Sequence, residues 1–359
     1  MKQPALGIVA SVLVMAISLG FVSLFAAPTF AGWVAYLLIC FIPMEIVIGI
    51  TWGCQNPGFA ARRKQPVKGI LLALLTLAVG AVVAAVHHRL VGGSISPPAP
   101  MLAMCIIASV LTTFWLAIMW GGWPFTKIIK SPIGAGLVML VAAYLINYAF
   151  FRVFFNYEFM RGAPVYSAAL DPHGMFNAWN ALVFYLTVIG VLFVSLNFDL
   201  WPFTSSKAIM QQPVLGIVWT IVALVIGGGA YYIGVVAMGM DVVSFMVKVP
   251  IPFIFGTIIV VNMLQGSFFA KFTQPLKGIL NTIASAVIGS VLALIYGALA
   301  PVISGTVEAG PQAGYAFEIW LASALLAVTF PFLIFHAEFF QFWPLRRAEQ
   351  PKAAPAAHA

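Results

Sequence analysis

Few side chains in this chain of 359 residues could do chemistry in an apolar setting, and Glu45 is the clearest of them. It lies in the middle of a long apolar run, two residues after Pro43. A proline within a helix frees a backbone carbonyl and usually kinks the helix. An ionisable residue at membrane depth is costly and marks a functional hypothesis. Glu45 could bind a cation or carry a proton; the alternative is a protonated Glu that bonds to a neighbouring helix.

A second pair of ionisable residues, His336 and Glu338, comes near the end of the last apolar run. Residues two apart point to different faces of a helix, so they form no ready-made pair. Glu338 could reach the interface and pair with Arg346 or Arg347. His336 as a haem or metal ligand would need a second ligand at the same depth, and no other predicted helix offers a histidine there. Hydrogen-bonded packing is the alternative for His336.

Two amides complete the candidate residues of a binding site or pathway, Asn147 and Asn262. Amides in membranes commonly join helices by hydrogen bonds of about 0.6 kcal/mol, which is the structural alternative. The spacing of His87, His88 and His173 is not specific for a metal, and no metal site is predicted. The cofactor stays open. The sequence has no phosphate-binding loop, no nucleotide fingerprint, no HExxH zinc motif and no GxSxG elbow.

The composition sets the class of protein. Hydrophobic residues make up 63% of the chain, charged residues only 7%, and the mean hydropathy is +1.06. A soluble domain is about 45–50% apolar and about 25% charged. So few charges could not cover a water-facing surface. The composition excludes a soluble enzyme, a disordered chain and a disulfide scaffold, and it leaves a polytopic membrane protein. The net charge of +8 is attributed to basic residues in the loops on the cytoplasmic side of a membrane. The expected partner is the lipid bilayer, with partner membrane subunits or a homo-oligomer as further candidates, and no nucleic acid is expected.

Hydropathy and punctuation by proline predict an all-α integral membrane protein with ten transmembrane helices. The predicted helices cover residues 5–27, 33–54, 67–90, 101–121, 133–155, 177–198, 214–238, 250–268, 276–299 and 315–339.

The prediction of five parallel two-helix repeats rests on a recurring motif. Gln-Pro-x-x-Gly opens the helices at Pro4, Pro66, Pro213 and Pro275, and a degenerate copy stands at Pro132. Trp-Pro-Phe or Trp-Pro-Leu precedes several copies or ends the array. One transmembrane domain, 1–345, is expected, with repeats of about 1–64, 65–130, 131–211, 212–273 and 274–345 and a short cytoplasmic tail, 346–359.

Three copies carry a further glycine 14 residues after the proline, namely Gly80, Gly227 and Gly289. Small residues let helix backbones approach closely. The odd-numbered helices are therefore expected to form the inner, tightly packed set. The even-numbered helices carry more Phe, Trp and Leu and are expected to face lipid.

Basic residues predict the orientation. Thirteen of the 17 Lys and Arg residues fall at the two termini and in the connections that hold the Gln-Pro and Trp-Pro motifs. The positive-inside rule then places both termini in the cytoplasm, in the plasma membrane or the bacterial inner membrane. On the other side the longest connection runs from Arg152 to His173. Long loops are often functional, and a cap over the bundle is the alternative.

The function favoured by this pattern is a transporter or channel for a small solute or ion, through a bundle of small-residue inner helices. Five parallel hairpins around a pore resemble, in outline, the TehA and slow-anion-channel family, which also uses five two-helix units; no residue is carried over from it. Apolar pore helices suit a hydrophobic gate or a solute of low charge. The alternative is a membrane anchor or scaffold subunit that holds partner subunits, lipid or a hydrophobic cofactor such as a quinone or pigment. The third hypothesis is a membrane enzyme that acts on lipid and uses Glu45 or the Glu158–His173 loop as acid or base.

Overall fold

The computed structural model describes residues 1–163 and 166–346, and it is all-helical apart from one short strand pair. Within these residues ten helices, named α1 to α10, are long and apolar enough to span a membrane. The prediction of ten such helices is confirmed. Their bounds are Ala5–Val22, Ala27–Thr51, Val67–Leu90, Pro100–Met119, Pro132–Phe154, Ala178–Asn197, Val214–Ala237, Val242–Met263, Leu276–Ser304 and Ala316–Phe339. The predicted tail lies, from residue 347 onward, outside the described part of the chain.

The largest difference from the predicted bounds is at α8, which begins at Val242 and not at 250. Asp241 caps this start, because its Oδ1 accepts the backbone N–H groups of Val243 and Ser244 at 3.1 and 2.8 Å. The backbone leaves helical geometry at Val249, just before Pro250. The residue before a proline is disfavoured in helical geometry. The span is therefore two helical pieces joined at a kink.

The helices form two layers, and their order is the reverse of the expected one. Buried residues make up 61–78% of the most apolar stretch of each even-numbered helix and only 22–39% of each odd-numbered one. The even-numbered helices pack side by side in a closed ring, in the order α2, α4, α6, α8, α10 and back to α2. The expectation that the small-residue odd-numbered helices are the inner set is wrong.

The three glycines explain this reversal, because each faces an inner helix from outside. A Cβ at Gly227 of α7 would stand 2.5 Å from the Cα of Val188 on α6. Gly80 of α3 meets Phe41 of α2, and Gly289 of α9 meets the carbonyl of Pro252 on α8 in the same way. Each outer helix therefore needs only one small-residue face. Its other faces carry exposed apolar side chains such as Leu294, and a span of this kind implies lipid contact.

The glutamine of the Gln-Pro motif ties the start of an outer helix to the end of an inner one. In each of four copies its Oε1 accepts the backbone N–H of the glycine four residues on, at 3.0–3.2 Å. In three copies its Nε2 donates to the last carbonyl of an even-numbered helix. These pairs are Gln3 with Met263 at 2.9 Å, Gln65 with Phe339 at 2.6 Å and Gln212 with Met119 at 3.0 Å. Gln274 donates to the Asp199 carboxylate instead.

Every even-numbered helix ends in the same kind of turn, two consecutive residues in left-handed geometry. These residues are 53 and 54, 121 and 122, 199 and 200, 265 and 266, and 341 and 342. The end of the bundle that holds these turns and the Gln-Pro motifs is called the motif face below. The opposite end, where the even-numbered helices begin, is called the loop face.

Candidate functional site

The ring of even-numbered helices encloses a central cavity of about 950 Å³. Each of the five helices contributes large apolar side chains to its wall, for example Ile42, Leu111, Leu186, Ile254 and Leu326. This volume lies near the upper end of the range for small-molecule sites, about 300–1,000 Å³. The lining includes residues of the connections at the loop face, so the cavity opens toward that face. Such a space can take up a small solute or an apolar chain.

Three phenylalanines from three different inner helices close the inner end of the cavity. The ring of Phe114 on α4 contacts those of Phe193 on α6 and Phe330 on α10, with centroids 5.6 and 6.1 Å apart in edge-to-face geometry. Phe114 comes 14 residues after Pro100, where its helix begins, and at 1.5 Å per residue this is a depth of about 21 Å. The constriction therefore lies well beyond the middle of a hydrocarbon core of about 30 Å.

The long connection from Arg152 to His173 forms part of the cavity mouth, which Phe159, Met160 and Ala163 help to line. A two-residue parallel pairing, Phe155–Asn156 with Phe176–Asn177, fastens the connection to the start of α6.

The buried carboxylate of Asp171 anchors this connection from within. It accepts the backbone N–H groups of Tyr157 and His173, at 3.2 and 2.9 Å, and the hydroxyl of Tyr166 at 3.1 Å. Burial raises the pKa of the Tyr157 phenol, which therefore stays neutral. The segment has fixed internal bonds and borders the mouth, in agreement with a cap.

Across the mouth, Tyr315 joins the start of α10 to the start of α8. Its hydroxyl donates to Asp241 at 2.8 Å, and its ring packs edge-to-face on Trp179 at 5.8 Å. Burial and this hydrogen bond raise the pKa of Tyr315 to about 12. Partial burial would raise the pKa of Asp241, but the hydrogen bonds from Ser244, Val243 and Tyr315 lower it below its ordinary value. A charged carboxylate is thus held near the entrance of the cavity.

Four of the five predicted polar residues, all except Asn147, lie beyond the constriction, toward the motif face. Asn262 of α8 donates to Oε1 of Glu338 on α10 at 3.2 Å, so the structure brings these two candidates together. His336 packs edge-to-face on Phe342, and its Nε2 is buried without a hydrogen-bond partner among the described residues. Glu45 is 2% exposed.

The thiol of Cys54, in the turn after α2, lies within electrostatic reach of this group. Burial, Glu338 and Glu45 raise the pKa of Cys54 and Lys68 lowers it, and the net pKa is about 12. The motif-face end of the ring therefore holds two acidic side chains and one buried lysine near a neutral thiol.

Asn147 has a different setting. Its Nδ2 donates to the carbonyl of Cys105 at 2.9 Å and so joins the outer helix α5 to the inner helix α4. Like the other four predicted residues, Asn147 is not among the described residues that line the cavity. The contact is of the helix-joining kind.

Sequence reasoning missed the three phenylalanines and the anchoring role of Asp171. The chain has 30 Phe, and no local signal separates Phe114, Phe193 and Phe330 from the others. The sequence did contain a signal for Asp171. In Asp-Pro-His an Asp side chain commonly accepts the backbone N–H two residues on and so forms a turn, as Asp171 does with His173.

In comparisons with known proteins the chain matches no family model, no curated protein and no solved structure.

Proposed function

We propose that this chain is a polytopic membrane protein that passes a small solute of low charge through the ring of even-numbered helices. The observation that carries the proposal is the central cavity, which all five inner helices enclose and three phenylalanines close at one end. A wall of aliphatic and aromatic side chains gives an ion little replacement for its water, and hydrophobic constrictions gate by excluding water. A neutral or weakly charged solute fits this lining best.

The proposed architecture is five two-helix repeats around the pathway. Its support is the shared geometry at the motif face, where each even-numbered helix ends in a left-handed pair and four glutamines cap outer helices in one way. In the proposed orientation both termini and the motif face lie in the cytoplasm of the plasma or bacterial inner membrane. The excess of basic residues supports this orientation. Two of those residues, Arg347 and Lys352, lie outside the described part of the chain.

The test is solute flux in liposomes, with a matched pair of variants in α10. Phe330→Ala removes one ring from the constriction. Phe332→Ala, two residues away, removes a ring that packs on Phe21 of the outer helix α1. Stopped-flow light scattering with urea and glycerol gradients measures the flux. We expect several-fold faster flux through Phe330→Ala than through wild type, and wild-type flux through Phe332→Ala. Equal flux in the two variants would mean that the constriction is not on the pathway.

A second candidate function is a scaffold subunit that holds an amphipathic ligand. Amides stand at the mouth of the cavity, at Asn177, Asn180 and Gln312, while its deeper wall is apolar. A lipid or a quinone-like molecule would place its chain inside and its head group among the amides. Native mass spectrometry of gently solubilised protein, with an absorption spectrum of the same sample, separates the two. A stoichiometric ligand together with no solute flux would favour the scaffold.

A further inference from the structure

Three acidic side chains are almost completely buried, and they differ in their hydrogen bonds. Asp171 and Glu318 are 3% and 5% exposed. Asp171 accepts backbone N–H groups and a tyrosine hydroxyl, as described above, and the two carboxylate oxygens of Glu318 accept the backbone N–H of Gly310 at 3.1 and 3.2 Å. These bonds compensate for lost water and hold both side chains in structural roles. Both acids lie near the loop face.

Glu45 is the exception, because it is buried as deeply but has no such compensation. Within the described residues neither of its carboxylate oxygens has a hydrogen-bond partner. An isolated carboxylate in an apolar setting is very costly, and the group takes up a proton instead. At rest Glu45 is therefore a neutral carboxylic acid. A group of this kind releases its proton only when water or another proton acceptor reaches it.

Glu45 is placed where the pathway would open. It follows Ile42, which lines the cavity, by three residues, so it lies on the same face of α2 and about 4.5 Å deeper. Pro43 lacks the N–H that would bond the carbonyl of Ile39. Two residues after Glu45 the π turn Val47–Thr51 begins, which ends α2 in the way that similar turns end α4, α8 and α10.

The titratable groups around this part of α2 come from several elements. Cys54, in the turn after α2, lies within electrostatic reach of Glu45, of Lys68 from α3 and of Glu338 from α10. The groups that α4 and α5 bring toward α2, Cys105 and Tyr144, lie close to Tyr36 and Cys40 instead, toward the loop face. Toward the motif face, Cys54 thus stands between Glu45 and a polar group that Lys68 and Glu338 form, with Asn262 bonded to Glu338.

We propose that Glu45 takes up and releases the proton that couples to solute movement, so that the protein is a proton-coupled transporter. This inference rests on the proposed function. In the closed state the carboxylic acid keeps its proton. When the constriction opens and the site hydrates, the O–H bond breaks, the proton passes to water and the carboxylate remains until a proton returns.

Protonation is tested without any flux. Infrared spectra of the purified protein, recorded as pH is raised, show the carbonyl stretch of a protonated carboxylic acid. We expect a band that persists at neutral pH in wild type and in Glu318→Gln but is absent in Glu45→Gln. Labelling of the wild-type protein with dicyclohexylcarbodiimide, which attacks protonated carboxyl groups, is a second measurement that needs no variant. Peptide mass spectrometry should find the label on Glu45. The proposal would be overturned if Glu45 stayed unlabelled and the infrared band of Glu45→Gln equalled that of wild type.

Coupling is tested in liposomes with an imposed pH gradient and radiolabelled urea as the probe. Wild type and Glu318→Gln should accumulate the probe above equilibrium, and Glu45→Gln should bring it only to the equilibrium ratio. Accumulation by Glu45→Gln at the wild-type level would overturn the coupling while solute passage stands. A wild-type protein that passes neither urea nor glycerol would refute the proposed function and the coupling with it, even where infrared spectra find Glu45 protonated.

Discussion

The contact between α7 and α6 allows a sharp test of how the outer layer holds the ring. At Gly227 an added Cβ would meet the Cα of Val188 at 2.5 Å and its backbone N at 2.9 Å. Both atoms belong to the backbone of an inner helix, so no rotamer change can make room. Gly229, two residues on, is exposed, and a Cβ there would meet nothing within 4 Å. The same substitution at the two positions therefore isolates the helix contact.

The magnitude follows from the shift that Gly227→Ala requires. The helices must separate by about 0.9 Å, from 2.5 Å to the 3.4 Å at which ordinary contact begins. Overpacking of this kind costs about 1–3 kcal/mol and occasionally more. At Gly229 alanine restricts the unfolded chain and stabilises by about 0.4–1 kcal/mol. We expect the free energies of unfolding of the two variants to differ by about 1.5–4 kcal/mol.

Thermal unfolding in detergent, followed by circular dichroism, measures this difference. A change of 1 kcal/mol moves the midpoint by roughly 2–4 °C in a domain of 150–250 residues, so the midpoints should be several degrees apart. Gly227→Ala must melt below wild type and Gly229→Ala at or slightly above it. If both variants melted together, the close approach of α7 to α6 would not be a stabilising contact, and the account of the outer layer would be wrong.

Two further predictions concern the motif face. Gln65→Ala removes the 2.6 Å bond to the Phe339 carbonyl and the cap on the Gly69 N–H. The free energy of unfolding should therefore fall by about 0.5–2 kcal/mol in a thermal melt. Gln55→Ala, in the same connection, should melt like wild type. Cys54, with a pKa of about 12, should be alkylated by iodoacetamide far more slowly at pH 8 than an ordinary thiol of pKa near 8.5. Because the thiolate is the reactive form, its rate should rise only as pH approaches 12, and peptide mass spectrometry that found full labelling at pH 8 would contradict the burial.

The ten helices could be predicted because hydropathy and proline are local signals. A run of about 20 apolar residues needs no tertiary information to be recognised. The start of α8 was missed because Pro250 and Pro252 look like a helix start, whereas the cap at Asp241 lies nine residues before Pro250 and depends on a single side chain. The sequence therefore shows that the helix exists. Its exact start depends on which of two signals, the cap at Asp241 or the proline at 250, begins the helix in the folded protein.

The layer order could not be predicted, because a glycine reports a close approach without reporting from which side. Gly80 and Gly289 do mark tight contacts, but they are contacts of outer helices with inner ones. The phenylalanine constriction is a property of three helices far apart in sequence, so no window of residues contains it. Glu45 was readable as a candidate because an acid in an apolar run is rare, but its lack of partners follows only from the fold.

The outer and inner helices have different roles, and this difference explains why the interior of the ring is apolar. Outer helices fix the inner ones through backbone contacts at glycine and through glutamines that bond helix-end carbonyls, as Gln3 of α1 does with Met263 of α8. Helix α1 also packs on α10, so the first helix of the chain closes the groove between the last inner helices. Because the outer layer supplies these polar ties, the ring interior is free to be apolar. Glu45, a buried carboxyl group without a hydrogen-bond partner among the described residues, stands out against this interior, and for this reason we propose it as the group that changes charge.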